Sequence, residues 1–370
     1  MTRIVLCANN IDELGGAQRV VHLLADGFHR RGHDVLVVGV TPYPQVHPYR
    51  GDYERRTLMP DVWPKKSPQT ERTRAQLRSA AVNGFMEILR GAQEDPAIIV
   101  TAQVWAMEVL ADALAAVSPQ VRKRWRVVGQ YHGSYAAAAS GRDLGRILRS
   151  YAKATVMTAL TEEDAVAFTR AGLDNVRPLA NPLAFWPQEV SPDKASTVTY
   201  LGRLSAEKGV DLLVDAWSLI ADRHPGWQLR IVGDGPEQDA LFAQTQDLAG
   251  SDRISWEPFT ELAQEVLHGS DVVVLPSRTE GLPLVLAEAQ ACGVPVVATD
   301  CSSGVRQLVG DWGLLATRGD SRDLARVLDV AMSDSTWRRE SGRRARDEME
   351  RYRIDRIMEQ WEDLIEHATR

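Results

Sequence analysis

An alternation that occurs twice constrains this chain more than any other feature. Short β-branched apolar runs give way to stretches in which apolar residues return every three or four positions, and the two patterns repeat along both halves. A strand that is apolar on both faces needs cover on both, and a parallel sheet with helices above and below supplies it. In the first half the strand candidates are residues 4–8, 34–40, 97–101, 126–131, 155–160 and 176–179. Those of the second half are 197–201, 228–232, 271–275, 294–298 and 314–316, with helices expected over 209–223, 236–248, 283–292 and 321–332. Between them, residues 181–196 hold three prolines and no sustained period, which reads as a connection between domains.

The predicted fold class is therefore α/β, with two Rossmann-like doubly wound domains facing a central cleft, and 370 residues suffice for two cores. The boundaries predicted are 1–185, 186–350 and a C-terminal helix over 351–370 that packs back on the first domain. The first helix, expected over 17–31, gathers Val20, Val21, Leu23, Leu24 and Phe28 on one face. Near the end, Ile354, Met358, Trp361 and Ile365 form a stripe at helical spacing, read as packing and not as a partner-binding face. Thr161 and Asp164 form a capping pair ahead of Ala165, Val166 and Phe168.

Composition narrows the class. Hydrophobic residues at 44% and charged residues at 25% describe a globular chain with ample material to bury. The apolar run at 4–8 is too short for a signal-peptide core or a membrane span, so the expected location is the cytoplasm. Cys7, Cys292 and Cys301 form no Cys-x-x-Cys pair and read as buried free thiols. Lys65, Lys66, Arg72, Arg74 and Arg78 cluster in the more basic first half, and Arg122, Lys123, Arg124 and Arg126 surround Trp125. Such clusters are either a solvated face or a contact for anionic lipid or a phosphate-bearing acceptor. A net charge of −7 and the lack of a recognised motif disfavour nucleic acid.

Chemistry concentrates where strands end. Gly15 and Gly16 precede the first helix and let a ligand approach free N–H groups at a positive helix end. No Gly-x-Gly-x-x-Gly follows a strand and no Gly-Lys-Ser/Thr occurs, which disfavours a dinucleotide site or a P-loop. In the stretch from Tyr200 to Gly209, Arg203 and Lys208 sit on the loop that follows a strand. A planar fork and a movable point charge suit a diphosphate and can neutralise a departing one; the alternative is a pair of surface cations bridged to Glu207. In Glu280-Gly-Leu-Pro-Leu-Val-Leu-Ala-Glu288, a helix starting near Pro283 leaves Glu280 on the loop and places Glu288 within the helix. Carboxylates so placed suit sugar or ribose hydroxyls, and the amides of Leu284 and Val285 suit an anion. An acid embedded like Glu288 among Leu284, Val285, Leu286 and Ala287 needs a partner.

Together with Ile231-Val-Gly-Asp-Gly-Pro-Glu237 and Ala291-Cys-Gly-Val-Pro-Val-Val-Ala298, these motifs occur in an order that resembles the retaining glycosyltransferases of family 4, with the GT-B fold. Glu280-Gly-Leu-Pro with Thr299-Asp-Cys-Ser-Ser-Gly304 is similar to the branch containing bacterial polysaccharide and teichoic-acid glycosyltransferases that use UDP-sugars. The resemblance implies that Arg203 and Lys208 bind the diphosphate, Glu288 the ribose and Glu280 the donor sugar. It further implies that amides of Gly16, Leu284 and Val285 assist, that Phe259 approaches the base, and that His132 lies near the donor sugar. Catalytic roles fall on Glu280, His132, Arg203 and Lys208. Pro283 stands where many relatives have glycine and removes one backbone donor, which bears on donor choice.

The implied activity moves a hexose or N-acetylhexosamine from a nucleotide sugar, UDP-linked by this resemblance, to a glycan, polyprenol-linked or other hydroxyl acceptor. The cofactor expectation is none, with no essential metal, because no Asp-x-Asp occurs. Expected partners are the nucleotide sugar, a glycan or lipid-linked acceptor, and an anionic membrane touched peripherally by the first domain. Two rivals stand beside this reading. One is a GT-B-like sugar-nucleotide epimerase or phosphorylase, and the other a catalytically silent donor-binding subunit.

Overall fold

The computed structural model describes residues 1–92, 96–190, 196–246 and 248–369, so part of the proline-rich connection, 191–195, lies outside the described residues. The chain divides into two compact units, Met1–Pro182 with Ile354–Arg370, and Leu183–Arg353.

The first unit is built on strands β1 (Arg3–Ala8), β2 (Asp34–Gly39), β3 (Glu54–Thr57), β4 (Ala97–Thr101), β5 (Trp125–Gln130), β6 (Val156–Ala159) and β7 (Val176–Pro178). They form one sheet in the order β3-β2-β1-β4-β5-β6-β7, every pair parallel. The second sheet contains β8 (Thr197–Leu201), β9 (Gln228–Val232), β10 (Ile254–Glu257), β11 (Val272–Leu275), β12 (Val296–Thr299) and β13 (Leu314–Ala316). Its order is β10-β9-β8-β11-β12-β13, again parallel. In both sheets the strand order reverses once, between β1 and β4 and between β8 and β11, and the crevice at such a reversal is where open sheets take ligands.

Helices cover the sheets because their apolar faces have nowhere else to go. Helix α1 (Gly16–Arg30) buries Val20, Val21, Leu24 and Phe28. The last helix, Ile354–Thr369, belongs to the first unit: Phe28 meets Trp361 edge-on at 6.0 Å, and a Cβ on Gly27 would stand 2.6 Å from the Met358 sulfur. Of the stripe read from sequence, Met358, Trp361 and Ile365 are buried, with Ile357 beside them. Thr161 caps its helix by accepting from the Asp164 amide at 3.0 Å. The three cysteines are free and buried.

Among the elements not foreseen are two strands and a long helix. Strand β3 is Glu-Arg-Arg-Thr with all four residues exposed, and β10, Ile-Ser-Trp-Glu, is only partly buried. Both lie at sheet edges, where backbone pairing to a single neighbour suffices and no apolar run is needed. Helix α2 (Glu71–Gly91) occupies a stretch whose front is polar and whose buried side, Leu77, Ala81, Gly84, Phe85, Ile88 and Leu89, is interrupted by small residues and turns apolar only towards its end. The strand expected over 294–298 begins only at Val296, because the Val294 amide still closes the preceding helix on the Ala289 carbonyl. Among the described residues no helix is long and apolar enough to cross a membrane.

Candidate functional site

In the second unit, β8 runs out at Leu201 and the Gly202 amide is still bonded to the Val232 carbonyl. The loop that follows is clamped on its neighbour. A Cβ on Gly233 would lie 2.0 Å from the Gly202 carbonyl oxygen, and one on Gly235 would lie 2.1 Å from that of Leu204. The two glycines of Gly-Asp-Gly are thus required for close approach. Tyr200 donates its hydroxyl to the Arg203 carbonyl at 2.7 Å, fixing the backbone of Arg203 while its side chain stays exposed.

Lys208 ends a single 3-10 turn, and Gly209 then takes a left-handed conformation (φ 65) that places its Cα against Pro276. The next strand's loop arrives at the same place. Arg278 donates its amide to the Glu207 carbonyl at 2.8 Å and grips Asp211 with two guanidinium nitrogens at 2.8 and 2.6 Å. That fork holds the Asp211 carboxyl below its ordinary range. The loops after β8 and β11 are therefore stitched together across the point where the strand order reverses.

Within that stitching, Lys208 Nζ lies 2.7 Å from Glu280 Oε1, and Ser277 Oγ donates to the same oxygen at 2.7 Å. Glu280 is 10% exposed at its side chain. The alternative pairing of Arg203 or Lys208 with Glu207 is not what forms. Glu207 instead accepts from Ser205 Oγ at 2.6 Å. Burial pushes the Glu207 carboxyl up, yet that bond, its own amide and the nearby charges of Lys208 and Arg203 bring it below its usual range. Burial, then the Glu280 and Glu207 carboxylates, raise the Tyr200 phenol. Burial and Glu280 likewise push the Cys301 thiol up to about 11, against Thr299, Arg318 and Lys208.

Pro283 is the N-cap of the helix Leu284–Ala291, one place earlier than expected, so its missing N–H falls outside the helix. The Leu286 amide bonds to the Pro283 carbonyl at 3.2 Å, while Leu284 and Val285 stand at the helix's open positive end. Glu288 is just past the first turn and 2% exposed. Phe259, on the loop after β10, is exposed, and its amide donates to Asp234 Oδ2 at 3.0 Å, tying it to the Gly233–Gly235 turn. Because all strands are parallel, these residues share the carboxyl edge of one sheet. A cavity of about 340 Å³, lined by Asp271, Pro295, Arg338 and Arg343 among others, lies at the opposite edge, where β11 and β12 begin.

Gly16 and His132 belong to the first unit. Gly15 is the N-cap of α1, and a Cβ on Gly16 would meet open space. The loop ahead of it is held by His22, which pairs with the Ile11 carbonyl at 2.8 Å and the Tyr53 hydroxyl at 2.7 Å and stacks on Tyr49 at 4.1 Å. His132 keeps some exposed surface, but its Nε2 is buried. Desolvation pulls the imidazole down to about 4, opposed by the nearby Asn181 side chain, so it is neutral near pH 7. The basic clusters are partly consumed by structure: Arg78 pairs with Asp112, Arg74 covers Trp63, and Arg126 bonds to the Ala368 carbonyl. Lys65, Lys66 and Arg72 remain exposed. Ser277, Thr299, Arg278 and Asp211 were not singled out as functional. The signal available for the first two was a polar residue closing a buried apolar run at a strand's carboxyl end.

Residues 14–182 match the family described as Glycosyltransferase Family 4, and residues 185–348 the one described as Glycosyl transferases group 1. The chain belongs to the family 4 glycosyltransferases. This glycosyltransferase is 27% identical over 372 residues to an uncharacterized glycosyltransferase of Haemophilus influenzae, spanning 99% of this chain and 100% of that protein. With the amylovoran biosynthesis glycosyltransferase AmsD of Erwinia amylovora it shares 22% over 373 residues, again 99% and 100%. The Anabaena protein HepE, solved in complex with UDP-glucose, superposes with a TM-score of 0.76 at 21% identity, covering 98% of this chain and 99% of that one. The two parallel sheets are those of the GT-B fold.

Proposed function

We propose that this glycosyltransferase moves a hexose or N-acetylhexosamine from a UDP-sugar to a hydroxyl of a glycan or polyprenol-linked acceptor, keeping the anomeric configuration and needing no metal at the diphosphate. The observation that carries the reading is the Lys208–Glu280 contact at 2.7 Å beside the open helix end at Leu284 and Val285. Lysine has three N–H donors and spends one on Glu280. The others, with Arg203 and the helix end, suit a diphosphate and its growing charge. Glu288 takes the ribose hydroxyls, Glu280 the donor sugar, Phe259 the base side, and the Gly16 amide assists. Neutral His132 near the sugar accepts or donates a hydrogen bond without adding charge.

In this mechanism the bond from the anomeric carbon to the diphosphate oxygen breaks as the acceptor oxygen bonds to the same face. The acceptor's proton passes to the departing diphosphate, which carries the electron pair away. The chain's own part is to position the reactants and neutralise charge. Exposed Val62, three positions before the exposed pair Lys65 and Lys66, supports peripheral contact of the first unit with an anionic membrane in the cytoplasm.

Thermal-shift measurements across UDP-, GDP- and ADP-sugars test donor choice, because a ligand stabilises the state it binds. The UDP series is expected to give the largest shifts, and a larger response to GDP- or ADP-sugars overturns that assignment. Transfer followed by NMR reads the anomeric configuration, and inverted product rejects retention. Activity that vanishes in chelator and returns with manganese rejects metal independence. Release of a free epimer, or a requirement for inorganic phosphate without acceptor, points instead to epimerisation or phosphorolysis.

A further inference from the structure

We infer that Ser277 is a positioning residue that holds one oxygen of Glu280 so that the other faces the donor sugar; this rests on the reading of Glu280 as the sugar-binding carboxylate. Glu280 Oε1 accepts from both Lys208 Nζ and Ser277 Oγ, each at 2.7 Å, and Oε2 has no hydrogen-bond partner among the described residues. The two donors differ in steadiness. Lys208 is a flexible cation that an arriving diphosphate competes for, whereas Ser277 is fully buried on a short side chain two residues past the end of β11. Once the diphosphate recruits Lys208, the serine is the donor that keeps the carboxylate aimed.

The backbone around this pair is fixed from the next strand. Thr299, buried at the end of β12, donates its hydroxyl to the Ser277 carbonyl. Ser302 Oγ donates to the Gly281 carbonyl at 3.2 Å, and a Cβ on Gly304 would stand 2.0 Å from that same oxygen. The segment 299–304 thus pins the chain on both sides of Glu280, and Ser277 extends the pinning to the carboxylate itself. A donor that must meet a sugar hydroxyl within hydrogen-bond reach gains from such preorganisation.

The test separates nucleotide from sugar. In the full-length protein, Ser277→Ala is expected to lower kcat/KM for the UDP-sugar roughly tenfold or more, the size of a hydrogen bond to a charged group. The dissociation constant for UDP, which lacks the sugar, is expected to stay within about twofold of wild type. Thr299→Val, nearly isosteric, is expected to show the same split at roughly threefold, and it serves if Ser277→Ala melts early. In a Glu280→Ala background, Ser277→Ala should add almost nothing, since a residue that acts through another is silent once that other is gone. Wild-type kcat/KM in both single variants, equal weakening of UDP and UDP-sugar, or full additivity with Glu280→Ala overturns the inference. Failure of wild type to bind UDP, or wild-type transfer by Glu280→Ala, overturns the donor-site reading itself, and the positioning role with it.

Discussion

The two sheets reverse strand order in the same way and brace the reversal with different chemistry. After β1 the ties are mostly neutral: the Asn9 amide donates to Gln103 at 2.8 Å, the Asn9 carboxamide accepts from the Ala106 amide at 3.0 Å, and His22 bridges Ile11 to Tyr53, with the Glu13 carboxylate accepting from the Asn10 carboxamide at 2.9 Å. After β8 and β11 they are ionic, Lys208 with Glu280 and Arg278 with Asp211. Neutral contacts hold a loop without creating a field, while charges hold a loop and also present a field to a ligand. The difference teaches that one topology can carry a stability-bearing crevice and a charge-bearing one.

Removing a charge is the sharpest way to break that contrast. Lys208→Ala is expected to cut turnover a hundredfold or more, roughly 3 kcal/mol of transition-state stabilisation, with little change in melting temperature; a loss of stability as large as the loss of activity would erase the distinction. Next in size is Gly209→Ala. The left-handed φ of 65 and a Cβ only 2.2 Å from the Pro276 carbonyl oxygen predict roughly 2 to 3 kcal/mol of destabilisation, read by urea unfolding.

The neutral crevice makes its own prediction through pH. Desolvation, with Arg55 and His47 nearby and against the Ile11 carbonyl, lowers the His22 imidazole to about 4 from 6.5. Above pH 6.5 it is uncharged folded or unfolded, so its full contribution is present. As pH falls toward 4 only the unfolded state takes the proton, and stability drops. Between pH 7 and pH 5 that amounts to roughly 2 kcal/mol, which unfolding curves of wild type against His22→Gln would show as a shallower loss in the variant. The smallest effect belongs to Arg278→Ala. Its ion pair is more than a third exposed on both sides, so a stability loss below about 1 kcal/mol is expected.

Much of this was legible in sequence where burial dictates pattern. The central strands of both sheets are apolar runs and were placed within a residue or two, whereas β3 and β10 are edge strands that carry no such run. Lys208 and Glu280 were recognisable as site candidates from their places after strands. Their direct contact was not, because they are 72 positions apart and meet only through pairing of β8 with β11. Ser277 shows the remaining limit: a lone hydroxyl closing an apolar run looks like many strand ends until the acceptor of its proton is known.

The return of Ile354–Thr369 to the first unit has a consequence for biogenesis. A ribosome adding about 5 to 20 residues per second finishes residues 1–182 on the order of ten seconds before Met358 and Trp361 exist. During that interval the side of α1 around Gly27 and Phe28 has no lid, and the earlier-born unit can seal its core only after the later-born one has been translated.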